Sequence, residues 1–214
     1  MFVIGMTGNA GCGKSKVCRC ISELLCCPGI DSDTVCRELM MPGQKVYEDV
    51  ANEFGPEYLC EDGTLNRAAI AEKVFNDPEA LLKLNSLTHP ATIEEIKRRI
   101  AVYKEECYGF VIVESALAED AGYREFCDEL WLVAAKKENR IARLRDRGYS
   151  DEKIASVMAS QKQQEELDMT KYRWLDNNRE NDRFLLYHQC MHHLDTALGR
   201  SVWRKMIGKV SVAD

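Results

Sequence analysis

Apolar residues fall along this chain in short blocks separated by longer stretches of helical spacing. Phe2–Met6, Phe110–Val113 and Leu130–Ala134 are apolar runs with no clean alternation. A strand that is apolar at every position has both faces buried, which predicts parallel strands in an α/β sheet. A shorter strand is expected to end at Gly29-Ile30, just before Asp31-Ser32-Asp33. Val17 to Leu25 reads as the helix that follows the first strand. Helical stretches separate the later strands, which implies right-handed crossovers.

From about 60 to 106 the spacing is helical throughout. Thr64 is placed to cap a helix carrying Ala69, Ile70 and Val74. Asp77-Pro78-Glu79 supplies an N-cap, an N1 proline and a first-turn acid for a second helix bearing Leu81, Leu84 and Leu87. His89-Pro90 is expected to break it, and Ile93, Ile96, Ile100 and Tyr103 mark the apolar face of a third. A further helical excursion runs from about 136 to 170. Arg140, Arg143 and Arg147 share one face of a helix ending at Gly148, and Ser150-Asp151-Glu152 starts another in which Ile154, Val157, Met158 and Gln161 recur at helical spacing. The tail after Ser201 is weakly patterned and reads as a loose helix.

Composition narrows the class. At 214 residues the chain fits one domain with a large enough core to need no staples. The net charge of −6 offers no surface for nucleic acid, and no apolar stretch approaches the ~20 residues of a membrane span. Ten cysteines invite a disulfide reading. Against it stand the adjacent pair Cys26-Cys27, the lack of a leader before the first strand and the absence of any C-x-x-C pair. Reduced thiols in a soluble, cytoplasmic protein are expected instead.

The chemistry concentrates at Gly8, Asn9, Ala10, Gly11, Cys12, Gly13, Lys14 and Ser15. They spell G-x-x-x-x-G-K-S between the first strand and its helix, the setting of a phosphate-binding P-loop. Glycines let successive backbone N–H groups turn inward as a nest for anionic oxygens, and the helix N-terminus adds unpaired donors. Lys14 can reach the β- and γ-phosphates, and the Ser15 hydroxyl suits Mg²⁺. Cys12, inside the loop and near a helix N-terminus, has the setting of a reactive thiol.

Phosphoryl transfer also needs an acceptor hydroxyl in line and cations on the moving group. Asp31 and Asp33 follow the second strand, where α/β ligands bind. Asp33 has two readings, a base for the acceptor or a cap for a helix over Thr34–Met40. Arg143 and Arg147 either close over the phosphates or form a solvated helix face. Glu114 ends the third run, as an acid that orients the metal through water or as a plain strand-end carboxylate. His188, His192, His193 and Cys190 lack the glutamate of H-E-x-x-H, so no metal site is expected there.

At this point the chain resembles dephospho-coenzyme A kinases. The resemblance runs in order from about residue 3 to about 195. It rests on G-M-T-G-N-A-G-C-G-K-S at 5–15, I-D-S-D-T-V-C-R-E at 30–38 and E-D-G-T-L-N-R-A-A-I-A-E-K-V-F-N-D at 61–77. L-N-S-L-T-H-P at 84–90, R-L-R-D-R-G-Y-S-D-E-K-I at 143–154, Ala159-Ser160-Gln161 and L-D-N-N at 175–178 continue it. It implies a P-loop NTPase-type parallel sheet flanked by helices, with a helical acceptor-binding insertion and a helical lid. The expected layout is a single P-loop kinase domain over 1–214: a core of about 1–59, 107–135 and 171–200, an acceptor region of about 60–106 and a lid of about 136–170.

The resemblance implies ATP and Mg²⁺ as cofactors and dephospho-coenzyme A as acceptor. No nucleic-acid or membrane partner is expected, and a homo-oligomer stays open. It puts the phosphates on Gly8–Ser15 with Lys16, the acceptor's base at Asp33 and lid charge at Arg143 and Arg147, with Arg147 on the transition state. Thr7 would contact the acceptor, His89 would either orient it or fix the helix corner, and Asn177 would lie near adenine. The chain departs from the family pattern in Lys16, in Glu114-Ser115-Ala116-Leu117-Ala118 and in Lys171-Tyr172. A kinase for a nucleoside, a nucleotide or another small hydroxyl shares the generic features. A nucleotide-gated switch is disfavoured by the missing N-K-x-D motif and by the lid.

Overall fold

In a computed structural model, the three apolar runs are β1 (Phe2–Thr7), β3 (Phe110–Glu114) and β4 (Glu129–Ala134). The structure describes residues 1–116, 122–161, 169–179 and 182–207. Among them a five-stranded parallel sheet has the order β2-β3-β1-β4-β5, with β2 at Gly29–Asp31 and β5 at Arg173–Asp176. Phe2 pairs with Phe110, Met6 with Glu114, Thr7 with Leu132 and Ala134 with Asp176. Both faces of the central strands are buried, as the missing alternation predicts: Ile4 and Met6 on one side, Val3 on the other. β5 was not anticipated. Its four residues mix Arg173 and Asp176 with Trp174 and Leu175, and its place at the sheet edge needs no continuous apolar run.

The chain divides into two units, Met1–Ile30 with Ile100–Asp214, and Asp31–Arg99. In the first, α1 (Lys14–Leu25) packs on β3 and on α8 (Arg183–Leu198), and α8 packs on β5 and on α9 (Arg200–Met206). Val17, Ile21 and Leu25 of α1 meet Leu186, Cys190 and Leu194 of α8 over Ile4, Met6, Phe110, Ile112, Trp131 and Leu175. α6 (Lys137–Asp146) and α7 (Asp151–Ser160) form the expected helical pair. Gly148 takes a left-handed φ of 81° between them, and the Ser150 side chain accepts from the Lys153 N–H at the start of α7. Residues 162–168, within the expected lid, lie outside the described residues.

The second unit holds α2 (Ser32–Leu39), α3 (Lys45–Phe54), α4 (Arg67–Asn76) and most of α5 (Pro78–Glu105). Its core joins Val46, Val50 and Phe54 of α3 to Leu65, Ile70, Leu84 and Leu87. Three local expectations are corrected here. Asn66, not Thr64, caps α4, accepting from the Ala69 N–H at 3.1 Å. Thr64 is used in a turn, where its N–H and hydroxyl donate to Asp62. Asp31, not Asp33, caps α2: its two carboxylate oxygens accept from the Asp33 N–H and the Thr34 hydroxyl. And α5 runs unbroken through Pro90. An interior proline costs about 3 kcal/mol, while each buried apolar side chain returns about 1.5–3 kcal/mol. Leu84 and Leu87 before Pro90 and Ala91 and Ile96 after it are all packed, so burial outweighs the lost bond.

Candidate active site

β1 carries the chain to Thr7, which is buried, and the glycine loop turns it into α1. Gly13 stands at the N-cap with φ 87°, and neither a side-chain cap nor a first-turn acid occupies that helix end. The end is therefore left for an anion, with the backbone donors and the helix dipole aimed at it. Inside the loop the Cys12 N–H donates to the Asn9 carbonyl at 3.1 Å, and both Lys16 and Val17 donate to the Gly13 carbonyl at 3.1 Å.

Glu114 reaches this helix end from the neighbouring strand, because the register sets it beside Met6. The Ser15 hydroxyl donates to Glu114 Oε1 at 2.6 Å, and Lys14 Nζ lies 4.0 Å from the same oxygen. Glu114 thus stands at the strand end within reach of both Ser15 and Lys14, a position that suits either of its two readings. Cys18 backs the cluster: burial, with Glu114 adding to it, holds its thiol well above the ordinary range. Lys16 is exposed at the surface of α1.

The outer side of the loop is closed by the α6–α7 hairpin and by Asn177. Arg143 Nη1 donates to the carbonyls of Gly11 (3.3 Å) and Cys12 (3.0 Å), and its Nη2 to the Asn177 carbonyl (2.7 Å). Asn177 is buried, and its amide donates to the Cys12 carbonyl at 2.8 Å. Arg140 is only 5% exposed. Its Nε donates to the Ala10 carbonyl at 2.9 Å and its Nη2 to Gln161 Oε1 at 3.0 Å. The arginine face of α6 is thus no solvated face, although Arg147, at its C-cap, is exposed. Arg140 and Gln161 carried no expected role. The available signal was Leu144, which lies four residues after Arg140 and is equally buried, so the two share an inward face.

The other expected residues sit as follows. Asp33 is in the first turn of α2, exposed, with Asp31 taking the cap. His89 lies within α5, half-buried, and burial lowers its pKa. Cys12 corrects the expectation of a reactive thiol: it is buried, and that burial raises its pKa in spite of Lys14, Arg140 and Arg143 nearby. Tyr172, one of the departures, is packed in the fold with the Arg124 guanidinium 5.0 Å over its ring. Leu117 and Ala118, in another departure, lie outside the described residues. All ten cysteines are free thiols. Among the described residues no His/Cys/Asp/Glu group is set to hold a metal. His193 bonds to the Trp174 carbonyl at 2.9 Å and Cys190 is in the core, which accounts for that cluster.

Comparison with known proteins identifies the family. The family model described as CoaE, dephospho-CoA kinase, matches residues 2–182. The dephospho-CoA kinase of Bdellovibrio bacteriovorus is 37% identical over 158 residues, 74% of this chain and 78% of that one. Among solved structures, TT1252 from Thermus thermophilus superposes with a TM-score of 0.78 at 27% identity, over 92% of this chain and 97% of that one. The dephospho-CoA kinase from Campylobacter jejuni, at 20% identity and a TM-score of 0.62, covers 92% of this chain and 98% of its own and shares the fold. The chain belongs to the dephospho-CoA kinase family.

Proposed function

We propose that this chain transfers the γ-phosphoryl group of ATP to the ribose 3′-hydroxyl of dephospho-coenzyme A, giving ADP and coenzyme A, the last step of coenzyme A biosynthesis. The observation that carries this reading is the family match over residues 2–182, which spans the P-loop, Glu114, the α6–α7 hairpin and Asn177. As a kinase of this family the chain uses ATP.

The roles follow from the residues. Apart from those of Ala10 and Cys12, which donate to Gln161 and to the Asn9 carbonyl, the loop and the helix end after it present backbone N–H groups to the phosphates, and Lys14 adds charge at the β- and γ-positions. Lys16, Arg143 and Asn177 serve the nucleotide side. Arg147, exposed on the turn after α6, supplies charge to the transferring group. Asp33 orients the acceptor hydroxyl and takes its proton; its support is an exposed carboxylate that the helix cap does not use. Thr7 and His89 contact the acceptor.

The oxygens of Ser15 and Glu114, 2.6 Å apart beside the helix end, fit a hard cation. Ser15 would hold Mg²⁺, with Glu114 orienting it through water, and the bound ion would neutralise charge on the β- and γ-phosphates. On this reading the enzyme works on ATP and a soluble acceptor in the cytoplasm. Among the described residues no helix is long and apolar enough to cross a membrane.

The test is Mg²⁺-dependent ADP release from ATP, with dephospho-coenzyme A and with a panel of nucleosides and nucleotides. Release driven by dephospho-coenzyme A alone is expected. Release driven by another acceptor would keep the kinase and overturn the substrate, and the absence of any acceptor-driven release would overturn both.

A further inference from the structure

Ala10 is gripped at both polar groups by the α6–α7 hairpin. Its N–H donates to Gln161 Oε1 at 2.9 Å, and its carbonyl accepts from Arg140 Nε at 2.9 Å. Arg140 Nη2 closes the ring by donating to the same Gln161 oxygen at 3.0 Å. Gln161 sits immediately past the end of α7 and Arg140 on the inward face of α6, so each helix contributes one residue.

The surroundings show why such a grip matters. Turning the loop's N–H groups toward an anion turns its carbonyls outward, and these need donors of their own. Arg140 takes the carbonyl of Ala10, while Arg143 takes those of Gly11 and Cys12. The contact is also close at the backbone. At Gly11, a Cβ would lie 2.5 Å from the Arg140 carbonyl oxygen, so the loop backbone rests directly against α6. A buried guanidinium is retained only when its donors are met, and here two of them are spent on holding a peptide and its partner amide.

We propose that Arg140 and Gln161 are positioning residues for the nucleotide phosphates: they fix the Ala10 peptide, and with it the curl of the P-loop, without touching phosphate. They thereby tie the seating of the α6–α7 hairpin to ATP affinity. This rests on the reading of the loop as the ATP site. Both bonds at Gln161 use Oε1 alone, so a carboxylate at this position keeps them and a thioether of similar length does not.

The experiment compares Gln161→Met, Gln161→Glu, Arg140→Lys and the double variant Gln161→Met/Arg140→Lys with the parent enzyme. ATP binding is measured by calorimetry, and KM for ATP and for dephospho-coenzyme A is measured alongside. Binding of ATP by the parent enzyme tests the site itself, and its failure would overturn that reading and this one together. Given binding, Gln161→Met is expected to raise KM and Kd for ATP about tenfold, the ratio that 1.4 kcal/mol represents. Gln161→Glu should stay within about threefold of the parent, and KM for dephospho-coenzyme A should hold in both. The double variant should lose no more than the worse single one, because the three groups act as a unit. Equal ATP affinity in the Met and Glu variants, additive losses, or a matching rise in the acceptor KM would overturn the proposal. If Gln161→Met does not fold, Arg140→Lys reads the same coupling, since it keeps the charge but loses the fork.

Discussion

The side-chain amide of Asn177 donates to the backbone carbonyl of Cys12 at 2.8 Å, joining the residue after the last strand to the middle of the P-loop, 165 positions earlier. The bond exists because β5 lies beside β4 and β4 beside β1, so the ends of three strands meet where the loop begins. Asn177 is further fixed by its own N–H, which donates to the Ala134 carbonyl at 2.8 Å.

That closeness makes Gly13 intolerant of any side chain. A Cβ there would collide with Asn177 Nδ2, and the φ of 87° is left-handed. Backbone strain alone costs about 1–2 kcal/mol, so Gly13→Ala should lower Tm by at least about 2–4 °C for a chain of this size. ATP binding should weaken with it, because the loop must move to clear Asn177. Calorimetry on the folded variant checks this, and unchanged ATP affinity would show that the loop adapts.

Asp31 and Asp33 should separate stability from activity. Asp31 holds the start of α2 through two accepted bonds, so Asp31→Ala is expected to cost about 1 kcal/mol of stability. Asp33→Ala, which leaves the cap in place, should lower kcat by about 10²–10⁴ with Tm nearly unchanged, the range for loss of a general base. Near-normal turnover in a folded Asp33→Ala enzyme would remove the base assignment.

The thiols should react in order of exposure. Cys26, Cys60 and Cys107 are exposed, whereas Cys12, Cys18 and Cys190 are buried. Burial pushes Cys27 and Cys127 up to about 12 and raises Cys12 as well, so little thiolate forms at pH 8. Alkylation followed by peptide mass spectrometry should label the three exposed residues first, with Cys12 labelled only on unfolding. Early labelling of Cys12 would contradict the burial of its side chain within the loop.

His193 should make stability depend on pH. Burial holds its pKa below 6.5; Arg173 and His192 act in the same direction, and the Trp174 carbonyl and Glu129 oppose them. The unfolded chain therefore binds a proton that the folded chain refuses. Stability from this residue is full above about pH 6.5 and falls as pH drops through the window below it. His89, also lowered by burial, adds a change of the same sign. Thermal unfolding of His193→Asn between pH 7.5 and 5.5 should show a flatter dependence than the parent protein. An unaltered slope would mean that His193 is not a source of it.

What local sequence determined is the part of the fold that rests on short-range physics. The apolar runs became the central strands because burial on both faces demands apolar residues at every position. Gly8 to Ser15 specified an anion-binding turn because glycine spacing and the following helix suffice for it. Ser150 and Asp77 marked helix starts through their own side chains. At two helix starts the spacing points to the wrong neighbour, to Thr64 where Asn66 caps and to Asp33 where Asp31 caps, and only the backbone geometry makes the choice. Pro90 reads locally as a break, and only the packing around α5 overrides it. Arg140 reads as surface, yet it is buried against a loop 130 residues away. Bonds such as Arg140 to Ala10 and Asn177 to Cys12 leave no periodic trace, because their partners become neighbours only when the sheet order brings their strands and helices together.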